Sequence, residues 1–227
     1  MNNRRDIIKY WAKKINAQSY LELGVRDFNS VFNHIPCVTK HSVDINMESA
    51  NYTMSTDEFF FKLKNSELDI DKNYKWDVIF IDANHLCDFV KKDSLNALEH
   101  LNDNGIIFLH DVLPTKYENQ TEYGGNQTAW KIIPYLLKNH PETHVCTIPE
   151  NDGGLGIIIK NHLKIRETLS QDFNIFYEYY IMDIDRVSSQ NEIKYNDLES
   201  WIGNPSYHFG TQNENYKTNM YKDHFKK

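Results

Sequence analysis

The sequence predicts a doubly wound α/β fold: a mostly parallel, seven-stranded sheet with helices on both faces, closed by an antiparallel C-terminal hairpin and followed by a small C-terminal helical extension. Three observations carry this. Short apolar runs alternate with amphipathic segments at helical spacing, the pattern of βαβ units. "WDVIFID" (Trp76 to Asp82) and "GIIFLHD" (Gly105 to Asp111) are apolar almost without a break, as strands buried on both faces are. Nearly every run then ends in an acid, a histidine or a small polar residue.

The elements follow in order. Ile7, Ile8, Trp11 and Ile15 share one side of an N-terminal helix, with Arg, Lys and Asn opposite. "SYLELGV" (Ser19 to Val25) reads as the first strand and "KHSVDIN" (Lys40 to Asn46) as the second, with a turn and short helix between them capped by Asn29 or Ser30. A brief third strand near Tyr52 to Met54 leads into a helix over "EFFFKL", for which Ser55, Thr56 and Asp57 are capping residues. After the fourth strand, Leu86, Phe89, Val90, Ala97, Leu98 and Leu101 recur at helical spacing until "NDNG" stops the helix. "TAWKIIPYLLKNH" forms another helix, with Pro134 as a kink or break. "THVCTI" and "LGIIIK" bracket a glycine-containing turn and pair as the hairpin. The division is residues 1–160 as the main domain with its N-terminal helix, and 161–227 as an extension with an aromatic helix and a polar, tyrosine-rich tail or oligomer arm.

At 227 residues, one principal core is expected. A net charge of -7 and scattered basic pairs argue against a nucleic-acid footprint, which needs a concentrated basic face. No apolar stretch approaches the ~20 residues of a membrane helix, and the N-terminus lacks the apolar centre of a signal peptide, so a cytoplasmic protein without membrane association is expected. Cys37, Cys87 and Cys146 are widely spaced and odd in number, which suits small buried residues in a reducing compartment.

In an open parallel sheet, ligands bind beyond the carboxyl ends of the strands, near the point where strand order reverses. The polar residues at those ends are Glu22 and Gly24, Asp44, Ser55 and Thr56, Asp82 and His85, and His110 and Asp111. Glu22, Gly24 and Ser30 suit a loop that lets a cofactor approach backbone. Asp44, about 20 residues further on, suits a carboxylate on ribose hydroxyls. A dinucleotide fingerprint would carry three glycines where "GVRDFN" has one, so a cofactor with a ribose but no pyrophosphate fits better, and S-adenosylmethionine is such a molecule.

These motifs resemble the class I S-adenosylmethionine-dependent methyltransferases, whose sheet is Rossmann-like. "YLELGVRDFNS" is similar to their first motif, "SVDIN" to the second, and "WDVIFIDANH" with "LNDNGIIFLHDVLP" to the fourth and fifth strands, over roughly Gln18 to Lys160. Within that class the chain looks like the metal-dependent sugar O-methyltransferases of the macrocin and mycinamicin type. These carry an acid ending the fourth strand, a histidine three residues later and two adjacent acids ending the fifth. Asp82, His85 and Asp111 match, while His110 stands where an acid is usual.

The resemblance implies an O-methyltransferase that uses S-adenosyl-L-methionine and a divalent metal (Mg2+, Mn2+ or Fe2+). Its acceptor would be a hydroxyl of a sugar or nucleotide-linked sugar, in surface polysaccharide or glycosylated metabolite synthesis. Glu22, Gly24, Ser30, Asp44, Ser55, Thr56 and Asp82 would line the cofactor. Asp82, His110 and Asp111 would hold the metal and His85 would be the general base; the alternative makes His85 a ligand and moves His110 behind the ligands. An imidazole ligand shifts preference from magnesium toward manganese or iron(II). The loop between the fifth strand and the next helix, with Tyr117, Glu118, Glu122, Tyr123, Gly124 and Gly125, either closes over the acceptor or is plain surface. Two other readings stay open: a catechol-type small-molecule O-methyltransferase, and a nucleotide- or metabolite-binding module without chemistry.

Overall fold

The structure is a computed structural model that describes residues 3–114, 119, 122–140, 142–148 and 153–160. The expected extension over 161–227, including the oligomer arm, lies outside the described residues.

The chain opens with α1 (Arg4–Lys14), capped by the Asn3 side chain, which accepts from the Asp6 amide. Ile7, Ile8, Trp11 and Ala12 form its buried face, as the spacing required. Then follow β1 (Ser19–Leu23), a 3-10 turn (Phe32–His34), β2 (Thr39–Asp44), β3 (Tyr52–Thr53), α2 (Thr56–Lys64), β4 (Trp76–Ile81), α3 (Cys87–Glu99), β5 (Leu101–His110), a 3-10 turn (Ala129–Lys131), α4 (Ile132–Asn139), β6 (Thr143–Ile148) and β7 (Leu155–Lys160).

Seven strands make one sheet in the order β3-β2-β1-β4-β5-β7-β6. The first five are parallel, and β7 enters antiparallel between β5 and β6, which is the expected hairpin closing the sheet. Strand order reverses between β1 and β4, so the carboxyl ends of those two strands define the crevice.

Each face of the sheet has its own apolar cluster. α1 packs Ile7, Ile8 and Trp11 against Tyr20, Val78, Phe80, Ile106 and Phe108, together with Ile157 and Ile159 of β7. On the other face Phe59, Phe60 and Leu63 of α2, Val90 and Ala97 of α3, and Ile132, Ile133 and Leu136 around α4 cover Leu21, Leu23, Ile79, Ile81, Ile107 and Leu109. Burial of each such side chain contributes about 1.5–3 kcal/mol, so α1 is firmly seated.

Four local expectations are corrected. "NDNG" does not end a turn outside the sheet: α3 stops at Glu99 and β5 begins at Leu101, paired with Trp76 across a register shift. Asn102 Nδ2 donates to Asp77 Oδ1 at 2.7 Å, which fastens this polar start of the strand to β4. Neither Asn29 nor Ser30 caps the turn after β1, because the 3-10 turn starts after Val31 and has no side-chain cap. Pro134 does not break a helix; α4 starts at Ile132, so the proline sits in its first turn, where no amide donor is needed. Cys37 is buried as expected, but Cys87 is only partly so.

Asp93 of α3 is 1% exposed, with both carboxylate oxygens shut from solvent beside Thr56. Burial raises its pKa to about 7 against a hydrogen bond from Thr56, with the charge of Asp57 adding to the rise. The folded chain therefore keeps a proton that the unfolded chain releases near pH ~4, and stability contributed by the protonated group is lost as pH rises from there through about 7. Asp93→Asn is expected to gain stability over the wild type progressively across that window in urea unfolding; an advantage independent of pH would rule Asp93 out as the titrating group.

Candidate functional site

At the carboxyl ends of β4 and β5 the parallel register sets Ile81 beside Leu109, and so the next residues, Asp82 and His110, beside each other. Side chains alternate faces along a strand. Tyr20, Phe80 and Phe108 all belong to the α1-side cluster, so Glu22, Asp82 and His110 continue that face as a polar row at its upper edge.

His85 reaches the row from the loop after β4. The Asn84 side chain accepts from the Leu86 amide at 2.9 Å, and Thr128 clamps the loop from outside: its amide donates to the His85 carbonyl at 3.2 Å and its hydroxyl accepts from the Cys87 amide at 2.8 Å. Asp111 follows β5 with a φ of 60°, an uncommon conformation for a residue with a side chain, which costs about 1–3 kcal/mol. This backbone turn directs its carboxylate back to the row. Asn126 Nδ2 donates to Asp111 Oδ1 at 2.8 Å and to the Gly153 carbonyl at 3.2 Å. A Cβ at Gly153 would stand 1.9 Å from Asp111 Oδ1, so this position accepts no side chain.

The result is a cluster of Asp82, His85, His110 and Asp111 in which one donor atom from each lies within 4.8 Å of all the others. His110 Nδ1 is 2.9 Å from Asp82 Oδ1 and 3.2 Å from Asp111 Oδ2; His85 Nε2 is 3.1 Å from Asp82 Oδ1, and its Nδ1 is 2.9 Å from Asp111 Oδ2. Arg4, the first residue of α1, completes the group with Nη1 3.1 Å from His110 Nε2 and Nε 3.9 Å from Asp82 Oδ2.

The electrostatics follow from these contacts. Burial alone would raise both carboxyls, but hydrogen bonds from His110 and His85 overcome it and hold Asp82 and Asp111 below the usual carboxylate range, with Arg4 adding to the effect at Asp82. Burial would lower His85, yet Asp111 and Asp82 push it up to about 9, so near neutral pH it is an imidazolium between two carboxylates. Glu22 behaves oppositely. Burial, helped by the negative charge of Asp82, raises it to about 8 despite the hydrogen bond it accepts from Tyr20 Oη at 2.5 Å.

Two carboxylates and two imidazoles converging from three segments fit a divalent cation, and the two protonable rings between the acids now meet part of that positive charge. The fit rests on the donor set and its spacing.

The other expected residues are more dispersed. Gly24 has a φ of +88°, and a Cβ there would lie 2.2 Å from the Asp82 carbonyl oxygen, so the loop after β1 crosses directly against the end of β4. Asp44 is half-buried and turns the chain after β2, its Oδ1 accepting from the amides of Asn46 and Met47. Ser55 is the N-cap of α2 and accepts from the Glu58 amide. Thr56 stands next to Asp93. Ser30 is exposed and hydrogen-bonds Asp27. Of the loop after β5, Tyr123 is 96% exposed, and Tyr117 and Glu118 lie outside the described residues. Arg4, Asn126, Thr128 and Gly153 were not singled out from sequence. Only the glycine pair in "PENDGG" carried a local signal, and it was read as a turn.

Residues 8–112 match the family model of a methyltransferase domain. Among solved structures, the chain is similar to an O-methyltransferase from Bacillus cereus in complex with SAH, at 14% identity and a TM-score of 0.51, covering 69% of this chain and 80% of that one. A putative O-methyltransferase from Klebsiella pneumoniae gives 14% and 0.51 over 70% and 80%, and the cofactor-bound Rv0187 from MTB gives 13% and 0.51 over the same shares. Comparison with curated proteins gave no match. The matched region is a little under half of the chain, and the fold is shared with these solved O-methyltransferases.

His85 is expected to titrate near pH 9 in histidine-resolved NMR of the metal-free protein, and Asp111→Asn to move that midpoint downward by removing the first of its two carboxylate partners. A wild-type midpoint at the ordinary histidine value would contradict the salt-bridged arrangement.

Proposed function

We propose that the protein is an S-adenosylmethionine- and divalent-metal-dependent O-methyltransferase acting on a hydroxyl of a sugar or nucleotide-linked sugar, in the cytoplasm. The observation that carries this reading is the Asp82, His85, His110 and Asp111 cluster, set at the carboxyl ends of β4 and β5 beside the switch point of a methyltransferase domain.

The cofactor is assigned to the crevice between the β1 and β4 ends, where Gly24 brings two backbones together and leaves Asp44 one strand away for the ribose hydroxyls. Glu22, neutral near pH 7, keeps a second negative charge off this row and hydrogen-bonds Tyr20. Asp82, Asp111 and Nδ1 of His110 are the groups assigned to the metal. When bound, a divalent cation lowers the pKa of a hydroxyl beside it, which neutral sugar hydroxyls need before they attack a sulfonium methyl.

His85 is assigned the hydroxyl proton. It can accept one only as a neutral imidazole, and the two carboxylates that keep it protonated are the ones assigned to the metal. Once their charge is met elsewhere, a ring nitrogen of His85 is released for the acceptor. Thr128 and Asn84 fix the loop, so the ring need only rotate rather than be built into place. The remaining contribution is orientation for an in-line displacement.

Calorimetry on metal-stripped protein is expected to show S-adenosylmethionine binding and no NAD binding. Methyl transfer to a panel of sugars, nucleotide sugars and catechols is expected to require added metal and to favour a sugar, with manganese or iron(II) restoring activity at least as well as magnesium. Failure to bind S-adenosylmethionine would remove the whole reading, and preference for a catechol would remove the sugar. His85→Ala is expected to lower kcat by about 10²-fold or more while leaving cofactor affinity nearly unchanged; equal losses in both would assign His85 to binding instead.

A further inference from the structure

The Arg4 contact on His110 fixes something that the spacing of the cluster leaves open. A guanidinium has only N–H donors and stays protonated throughout the working pH range. Arg4 Nη1 is 3.1 Å from His110 Nε2, a distance at which the guanidinium donates to that nitrogen if it carries no proton. The ring proton is then on Nδ1, where two carboxylate oxygens receive it, Asp82 Oδ1 at 2.9 Å and Asp111 Oδ2 at 3.2 Å. The opposite tautomer would set an N–H against the guanidinium and a lone pair against both carboxylates. The arrangement is held by packing as well: α1 is anchored through Ile7, Ile8 and Trp11, each at most 1% exposed, which places its first residue over the row.

We propose that Arg4 is a positioning residue for the metal site: by donating to Nε2 it holds His110 as the Nδ1–H tautomer, so that Nδ1 becomes a ligand only when the Arg4 contact is given up. This rests on the reading that the cluster takes a divalent cation. The nitrogen that points at the other three donor atoms is Nδ1, and a metal ligand must present a lone pair. Moving the proton to Nε2 would turn it against Arg4. The Arg4 hydrogen bond and coordination by His110 therefore exclude one another, and α1 competes with the metal for His110 without touching the metal position. Metal occupancy is coupled by this route to the position of the first turn of α1.

The test uses the full chain with 15N-labelled histidines, the His110 signals being assigned as those lost in His110→Gln. In the metal-free wild type and in Arg4→Lys, which keeps a donor, His110 is expected to show a protonated Nδ1 and a bare Nε2. In Arg4→Met that preference is expected to weaken. Manganese titration followed by EPR is expected to show Arg4→Met binding about tenfold more tightly than wild type, the worth of one charge-assisted hydrogen bond, and no such gain when His110→Gln is already present. A protonated Nε2 in the metal-free wild type, or manganese affinity equal or weaker in Arg4→Met, would overturn the proposal. If no variant binds manganese, the metal reading fails and takes the competition with it, while the NMR tautomer still decides whether Arg4 holds His110.

Discussion

Two carboxylates, Asp82 and Asp111, end neighbouring strands with their side chains only 17% and 10% exposed, and the rest of the site is arranged around the cost of keeping both charged. Withdrawing one carboxylate from water costs several kcal/mol even after relaxation. Here His85 donates to both, His110 Nδ1 lies within hydrogen-bond distance of both, Arg4 approaches Asp82 and Asn126 satisfies the far oxygen of Asp111. Every partner is a donor. A group of anions so fully supplied with donors is also one in which a single divalent cation could replace several of them at once, and on the proposed reading the affinity for metal would be the difference between those two arrangements.

The sheet accounts for where the charges fall. With Phe80 paired to Phe108 and Glu22 to Phe80, the alternation of side chains brings Glu22, Asp82 and His110 to one face and beneath the N-terminus of α1. Three ionised acids in that small volume would repel strongly, and the row avoids this in two ways. Glu22 is raised to about 8 and hydrogen-bonded to Tyr20, so Asp82 bears the only full negative charge of the row near neutral pH. The second charge, Asp111, comes from beyond the strand through a left-handed backbone turn, and approaches the histidines from the side where Gly153 leaves room.

Much of this was legible in the sequence because it rests on local patterns. Unbroken apolar runs gave β4 and β5, and the Ile7, Ile8, Trp11 spacing gave α1. Asp82, His85, His110 and Asp111 were identified because a parallel sheet collects its strand ends on one side, so position along a strand was enough to bring them together. Residues whose role depends on a distant contact were invisible. Arg4 is separated from His110 by 106 positions and reads as a solvated charge at a helix start; Asn126 reads as an ordinary loop amide until its 2.8 Å bond to Asp111 is seen. The polar start of β5 was misread for a related reason: "NDNG" has turn chemistry, but pairing with β4 through Trp76 and Asp77 overrides it. Ser30 and Ser55 illustrate how a hydroxyl near a strand end serves backbone and turn, the first donating to Asp27 and the second accepting from the Glu58 amide.

Position 110 brings these strands of argument together. The metal-dependent sugar O-methyltransferases that the sequence resembles carry an acid there. An acid beside Arg4 would form an ion pair, and the site would then contain three carboxylates for one cation, a set suited to a hard, oxygen-seeking ion such as magnesium. With histidine the same arginine instead lies against Nε2, and in the arrangement proposed above its donation there leaves the ring proton on Nδ1, facing the acids. Relative to such a set the cluster has one negative charge fewer and one imidazole more, both of which would shift the relative affinity of the proposed metal site from magnesium toward manganese or iron(II). It also gains a dependence that a carboxylate would not impose, because an imidazole can offer its inward lone pair only after its outward nitrogen has taken the proton. On the proposed reading, a histidine at the end of β5 thus links the choice of metal to the seating of a helix that begins more than a hundred residues earlier.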